Sequence, residues 1–288
     1  PGTLVMPMTE RTTIALSKHR AALDAVQAKY VLPAHEIVMQ TMDKGFTTQL
    51  AKSLGIATPR SVVLEKDSDV DLLAASAIYP VVLKPRTSEE VVAGNATRST
   101  GKPLYARSER ELREAYQTLT RRSRAVIAQE YVEGSGSGYF ALMNHGDLIA
   151  EFSHRRIRDV RPSGSGSALR ESVAVDPRIR DAALAILQSL RWHGPAMVEF
   201  RVRDDTTPVF LEVNGRFWNS LALAIHSGVD FPLLVARLAF AEDVNQVREY
   251  RAGVRCRWWL GDVRHLLAVM QGRPAGFEGR FPGRIETL

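Results

Sequence analysis

Two glutamates stand where carboxylates are costly. Glu199 lies in the apolar run AMVEFRV (196–202) and Glu212 in VFLEVNGRFWNS (209–220); both runs read as buried strands. A carboxylate in such a setting destabilises unless its charge is answered nearby. The intervening RDDTTP (203–208) is turn-forming, which predicts a hairpin centred on Asp205 and Thr206. In that register Val202 meets Val209, Phe200 meets Leu211, and Glu199 meets Glu212. Strand alternation then gathers Val198, Phe200, Val202, Val209, Leu211 and Val213 on one apolar face. Glu199, Glu212 and Asn214 share the other. Like charges placed directly opposite weaken a sheet, so a cation is expected between them. Two carboxylates and an amide oxygen are hard donors, suited to Mg²⁺ or Mn²⁺ rather than zinc or copper. The competing reading is an exposed sheet face with two solvated glutamates.

The elements that must hold this hairpin can be read along the chain. TLVMPMT (3–9) reads as a short strand, followed by a helix from Glu10 to about Lys29. HEIVMQTMDKGFTTQLAKSLGI (35–56) has helical spacing, with Gly55 placed as its stop. TPRSVVL is a strand, SDVDLLAASAI a short helix, and YPVVLKPR (79–86) a strand carrying Lys84. SERELREAYQTLTRRS (108–123) is an amphipathic helix with Ser108 and Glu111 spaced as a capping box. AVIAQEYVEG (125–134) is a strand that breaks at Gly134, and the next segment is a hairpin turning at NHGD. A glycine–serine stretch, RPSGSGSALRES, interrupts the pattern before the helix DPRIRDAALAILQSLRW (176–192). After the glutamate hairpin, SGVDFPLLVARLAFAEDV supplies another helix. Helices mixed with several hairpins predict an α+β fold rather than a βαβ repeat.

The bulk properties narrow the function classes. At 288 residues and 45% hydrophobic, the chain can bury one or two sizeable cores. No apolar run is long enough to cross a membrane, and no signal-peptide pattern opens the chain. A single cysteine, Cys256, forbids an internal disulfide framework and fits a reducing cytoplasm. The seven histidines have no cysteine partners and no HExxH spacing, so zinc is not expected. The net charge of +6 is spread along the chain without a nucleic-acid-binding motif, and a basic cleft for a small polyanion explains it. The abrupt start at TLVMPMT and the open end GRFPGRIETL lead us to expect part of a longer protein.

Five motifs in order, DKGFTTQLAKSLGIATP, YPVVLKP, AQEYVEG, MVEF and FLEVNGRFW, resemble the ATP-grasp superfamily over roughly residues 35–240. The likeness is to carboxylate–amine ligases and to the ATP-binding modules of carbamoyl-phosphate synthetases. It implies two α+β lobes clasping ATP, residues 39–133 and 134–288, preceded by the remnant of an N-terminal domain and linker over 1–38. On that resemblance Lys84 and the earlier Lys44 reach the ATP phosphates as compact point charges. Gln129, Glu130, Tyr131 and Val132 form the strand between the lobes that reads and covers the adenine. The acidic residue usual for the ribose hydroxyls is missing from GSGSGYF, which leaves Glu133 as the nearest candidate. Arg156 and Arg158 alternate on a strand near the triphosphate, so both are expected to point into the cleft. Backbone amides around 164–167 are candidates for cradling phosphate oxygens. Glu199, Glu212 and Asn214 match the family's Mg²⁺ ligands. Arg216 matches an arginine that stabilises phosphate charge, unless it pairs with Asp230. Trp218, Asn219 and Ser220 would border the acceptor pocket.

The activity so implied is ATP- and Mg²⁺-dependent joining of a small-molecule carboxylate to an amine through an acyl phosphate. Arg216 and Lys84 are its catalytic residues. The alternatives are phosphorylation of bicarbonate or carbamate, as in carbamoyl-phosphate synthetases, and a catalytically silent ATP-binding protein. No nucleic-acid or membrane partner is expected, and a homodimer is the candidate assembly.

Overall fold

The computed structural model describes residues 2–92, 97–162, 166–273 and 281–283. Its first elements are α1 (Glu10–Lys18), α2 (Arg20–Ala25), α3 (His35–Met42), α4 (Lys44–Ser53), β1 (Ser61–Leu64) and α5 (Asp67–Ala74). Then follow β2 (Val81–Pro85), β3 (Glu89–Val91), β4 (Thr97–Ser99), β5 (Leu104–Ala106), α6 (Glu109–Thr120) and β6 (Val126–Glu130). Next come β7 (Ser135–Asn144), β8 (Asp147–Asp159), β9 (Ser167–Ser172), α7 (Pro177–Ser189), β10 (Gly194–Val202) and β11 (Pro208–Asn214). The remaining elements are α8 (Leu221–Ser227), α9 (Phe231–Ala239), β12 (Arg255–Arg257) and α10 (Trp259–Met270). A four-stranded sheet has the order β1-β6-β2-β5, and a six-stranded sheet the order β11-β10-β7-β8-β9-β12. Every pairing in both sheets is antiparallel, which is the expected α+β architecture.

Several boundaries differ from the sequence reading, each for a local reason. The helix expected over 35–56 is two helices, because Asp43 is extended (φ −80°, ψ 103°) and its side chain accepts from the N–H groups of Gly45 and Phe46. A short acidic side chain that can bond nearby backbone favours a cap over a helix interior. The helix expected from Glu10 to Lys29 is also interrupted, at His19. The opening strand reduces to one bridge between Leu4 and Lys29. Ser108 caps α6 by accepting from the Glu111 N–H at 3.3 Å, but the Glu111 carboxylate accepts from Arg107 N–H, so only one arm of the capping box forms.

The small sheet packs Leu83, Val126 and Ala128 against Leu112, Tyr116 and Leu119 of α6. The large sheet is covered on both faces. Tyr139, Ala141, Val198 and Phe200 face Ile186 and Leu187 of α7. Phe140, Leu142 and Phe152 face Trp218, Leu223 of α8 and Phe231 of α9. Alternate residues of β7 therefore serve different cores, as strand alternation requires. The fully buried Glu151 accepts from Tyr139 Oη–H at 2.8 Å and from two Arg180 nitrogens at 2.8 and 2.6 Å. Among the described residues no single helix is long and apolar enough to cross a membrane.

The glutamate hairpin forms with one correction to its register. Glu199 lies opposite Glu212 and Val198 opposite Val213, but beyond them Phe200 pairs with Phe210 and Arg201 with Val209. The extra residue is Leu211. A bulge of this kind leaves one residue unpaired and turns the next side chain over. Phe210, rather than Leu211, therefore enters the core, with its ring 6.0 Å from that of Phe200.

Two stability outcomes follow. Phe210→Ala should cost about 3–5 kcal/mol, the range for deleting a buried aromatic side chain. Leu211→Ala should cost about 1–2 kcal/mol, as for a half-buried leucine. Urea unfolding midpoints measure both, and equal losses would contradict the bulge. The second concerns His154 on β8, which stacks on Phe140 at 4.7 Å and holds its Nε2 2.7 Å from Ser220 Oγ. Burial, then the charges of Arg170 and Arg156, push its pKa down to about 3. The folded state thus binds a proton less readily than the unfolded chain, whose histidine titrates near 6.5. The stabilisation is present above that pH and is lost as pH falls toward about 3. His154→Gln should flatten the decline of thermal midpoint with acidification, and an unchanged slope would contradict a buried neutral ring.

Candidate functional site

The site is assembled from five separate stretches of chain. β11 and β10 supply Glu212 and Glu199 as direct cross-strand neighbours, so their carboxylates share one face. Burial, then Glu212, raise the Glu199 carboxyl above the ordinary carboxylate range against the pull of Arg156, Arg216 and Lys84. Burial also pushes Glu212 upward. Lys44 and Lys84, with the Asn214 amide and Arg216, nevertheless take it below the ordinary range. One carboxylate is thereby held ionised while its neighbour resists a second negative charge, the usual outcome when two acids share a site.

Lys44 and Lys84 come from the other side. Lys44 is the first residue of α4; its ammonium donates to Ser88 Oγ at 2.8 Å and lies 3.8 Å from a Glu212 oxygen. Lys84 is buried on β2, where burial lowers its pKa; Lys44 acts in the same sense, and Glu212 and Glu199 oppose it. Asp43 fixes the geometry between the two lysines. It caps α4 and also accepts two hydrogen bonds from Arg86 Nε, at 2.9 and 3.0 Å. Lys44 N–H donates to the Arg86 carbonyl at 3.0 Å, which closes the connection between α4 and the end of β2. Burial opposes ionisation of Asp43, but the Arg86 guanidinium and the capped N–H groups hold its carboxyl below the usual range.

Asn214 and Arg216 extend the site past β11. Asn214 donates to Glu212 at 3.4 Å and accepts from Arg216 at 3.3 Å. Arg216 also donates to the Phe217 carbonyl at 2.9 Å and lies 3.7 Å from Glu10. Its alternative partner, Asp230, is engaged as the cap of α9. Glu10 was not foreseen from the sequence. It opens α1, and burial raises its pKa against the pull of Arg216 and Lys44. Nothing in ERTTIALSK distinguishes it from an ordinary N-terminal helix glutamate.

The remaining candidates are placed unevenly. Gln129 is buried, and its amide donates to Ser61 Oγ at 3.0 Å. The Glu130 carboxylate is taken up by Arg60 at 2.9 Å and Arg203 at 3.0 Å. Tyr131, Val132 and Glu133 lie past the end of β6 in no helix or strand; Val132 is buried, while Tyr131 and Glu133 are exposed. Arg156 lies 3.9 Å from Glu199. Arg158 does not join it, because the β8–β9 register slips between the two. Arg158 instead pairs with Asp262 on α10 at 3.0 Å. Residues 163–165, which include two of the four expected phosphate-cradling positions, 164 and 165, lie outside the described residues.

Residues 122–261 match a family described as ATP-grasp in the biosynthetic pathway with Ter operon. A D-alanine–D-alanine ligase of Nitrosospira multiformis is 27% identical over 219 residues, covering 72% of this chain and 65% of that protein. The vancomycin/teicoplanin A-type resistance protein VanA of Enterococcus faecium is 27% identical over 220 residues, covering 68% and 60%. The chain thus spans less than two thirds of the length of either relative. Among solved structures, the D-alanine–D-alanine ligase of Bacillus anthracis in complex with ATP superposes with a TM-score of 0.58 at 18% identity, covering 77% of this chain and 74% of that one. The biotin carboxylase domain of Hydrogenobacter thermophilus 2-oxoglutarate carboxylase gives 0.66 at 16% identity, covering 83% and 55%. With its fold, the order of its motifs and these likenesses, the chain is similar to the ATP-grasp superfamily, the family match itself covering residues 122–261.

Proposed function

We propose that this chain is the ATP-binding and catalytic part of an ADP-forming ligase that activates a carboxylate as an acyl phosphate and joins it to an amine. The observation that carries the reading is the opposed Glu199–Glu212 pair, faced by Lys44, Lys84 and Arg216. The two carboxylates and the Asn214 amide oxygen fit a hard divalent cation, Mg²⁺ or Mn²⁺. Among the described residues no group of three His, Cys, Asp or Glu side chains is poised for a metal. A cation here would be held jointly with phosphate oxygens. When bound, Mg²⁺ would neutralise charge on the β- and γ-phosphates.

The other roles belong to the chain itself. Lys44 and Lys84 place two ammonium groups against the phosphates, and the Asp43–Arg86 contact keeps the first of them over the cleft. Val132 and Tyr131 offer apolar cover for the adenine beside free loop backbone. The Glu130 carboxylate is already committed to two arginines, which leaves exposed Glu133 as the acidic group for the ribose. The substrate carboxylate attacks the γ-phosphorus, ADP leaves, and the amine then displaces phosphate from the acyl phosphate to give the amide. Arg216, steadied by Asn214 and the Phe217 carbonyl, presents a planar donor fork to the oxygens that gain charge. The ligase relatives support this reading over bicarbonate phosphorylation and over a silent nucleotide-binding protein. The substrates would be small molecules, and the lone Cys256 is consistent with a reducing cytoplasm.

ADP formation with a panel of amino acids as acid and amine tests the proposal. It should vanish with EDTA, and Glu212→Gln should lower kcat by about 100-fold or more. Turnover indifferent to both would refute the site. Separately, Lys84→Ala should weaken ATP binding by about tenfold to a hundredfold in calorimetric titration, the equivalent of one charge-assisted hydrogen bond. An unchanged affinity would remove Lys84 from the phosphate site.

A further inference from the structure

The large sheet carries a second like-charge pair, and this one is basic. Arg156 on β8 and Arg170 on β9 are direct cross-strand partners, so their side chains leave the same face. That face is the one bearing Glu199, because Glu199 pairs with Gly138, Gly138 with His154, and Arg156 follows two residues later. The opposite face of the same strands shows how the fold answers such charge. There Arg155 and Arg255 flank Glu171 and share it, in contacts that include Arg155 Nε at 2.8 Å and Arg255 Nε at 2.9 Å.

The cleft-side pair shares no hydrogen-bonded carboxylate of this kind among the described residues. Arg156 lies 3.9 Å from Glu199. Arg170, which is half-buried, has no ion pair within 4.0 Å and no hydrogen bond to the described residues. Asp159 lies in electrostatic range of both, yet its Oδ1 makes no hydrogen bond. Two buried ring nitrogens on this side also lack partners, His154 Nδ1 and Trp218 Nε1. His154 itself is more than nine-tenths buried and stacks on Phe140, whose ring is tilted against that of Trp218. Gly136, at the start of β7, leaves space there: a side chain at this position would meet no heavy atom within 4 Å.

Two guanidinium groups placed directly opposite repel each other, and Glu199, 3.9 Å from Arg156, with Asp159 nearby leaves Arg170 without a hydrogen-bonded anion among the described residues. Within the ligase reading, on which this inference rests, we propose that Arg156 and Arg170 bind a second anionic group of the acid being activated. That acid is then a dicarboxylate or a phosphorylated carboxylate. One acidic group meets Arg216 and the γ-phosphate, and the other is clasped by the arginine pair beyond Glu199. A guanidinium pair suits either a carboxylate or a phosphate through its planar donor fork.

Calorimetric titration of the full chain, with and without MgADP, provides the test. Succinate, glutarate and adipate are set against their half-amides, and phosphoglycolate against glycolate. At least one doubly charged acid should bind about tenfold or more tightly than its singly charged counterpart. The dicarboxylate and phosphate arms show which group the arginines take. Arg170→Gln should reduce the preference to less than about threefold while leaving ADP affinity intact, and Arg170→Lys should retain part of it. Lack of preference in every pair overturns the proposal, as does a preference that survives both Arg170→Gln and Arg156→Gln. Should Arg170→Gln fail to fold, as judged by circular dichroism, Arg170→Lys and Arg156→Gln decide the matter. Failure of MgADP to bind would instead refute the nucleotide reading, while the nucleotide-free titrations still measure the acid preference.

Discussion

Two half-buried carboxylates held on facing strands set the conditions for the rest of the molecule. Glu199 and Glu212 cannot both carry full charge without help, and the chain brings that help from distant segments. Lys44 arrives at the start of α4, Lys84 along β2, and Arg216 from the turn after β11. Each cation alone would be an unremarked surface or strand-end residue. Together they hold one carboxylate ionised and leave the other protonated more readily than usual.

Such a centre requires parts of the chain far apart in sequence to be registered to within an ångström or so. The contact between Asp43 and Arg86 does this for the two lysines. One carboxylate ends α3, caps α4 and grips the residue that closes β2. A charge-assisted contact with several partners resists sliding better than apolar packing does, since its energy falls off with small changes of angle. Across the cleft the β10–β11 bulge plays the matching part. It lets Phe210 anchor the hairpin in the core while keeping the glutamates paired on the other face.

The two faces of the large sheet divide the work. The α7 side is filled by aromatic and aliphatic side chains, and its charges are neutralised within the protein, as with Glu151 and Arg180. The opposite side is apolar only where α8 and α9 cover it. Toward the start of β7 glycines replace bulky residues and charges of both signs are left facing the cleft. A fold shared with ligases and a biotin carboxylase domain does not specify a substrate. The groups nearest the acidic pair here include Glu10, beside Arg216, and Arg156, beside Glu199.

How much of this was legible in the sequence depends on the range of the forces involved. Strand alternation and turn chemistry are local, so the glutamate hairpin, the pairing of Glu199 with Glu212 and the α+β class could be read directly. The ordered motifs identified Lys44, Lys84, Asn214 and Arg216 as one group, because a family's spacing records contacts that single residues do not. The bulge at Leu211 was hidden, since the choice of Phe210 for the core is made by packing against Phe200 and α7. Arg156 and Arg158 looked equivalent by alternation, and only the slipped β8–β9 register sends one toward Glu199 and the other to Asp262. Glu10 carried no local mark at all. Its position beside Arg216 depends on α1 packing against α3 through Ile14, Val38 and Met42. Sequence by itself determined which residues could do chemistry and how neighbouring strands would present them. Tertiary structure alone decided which charges meet, because Coulomb energy depends on separations and burial that are set by packing between segments far apart in the chain.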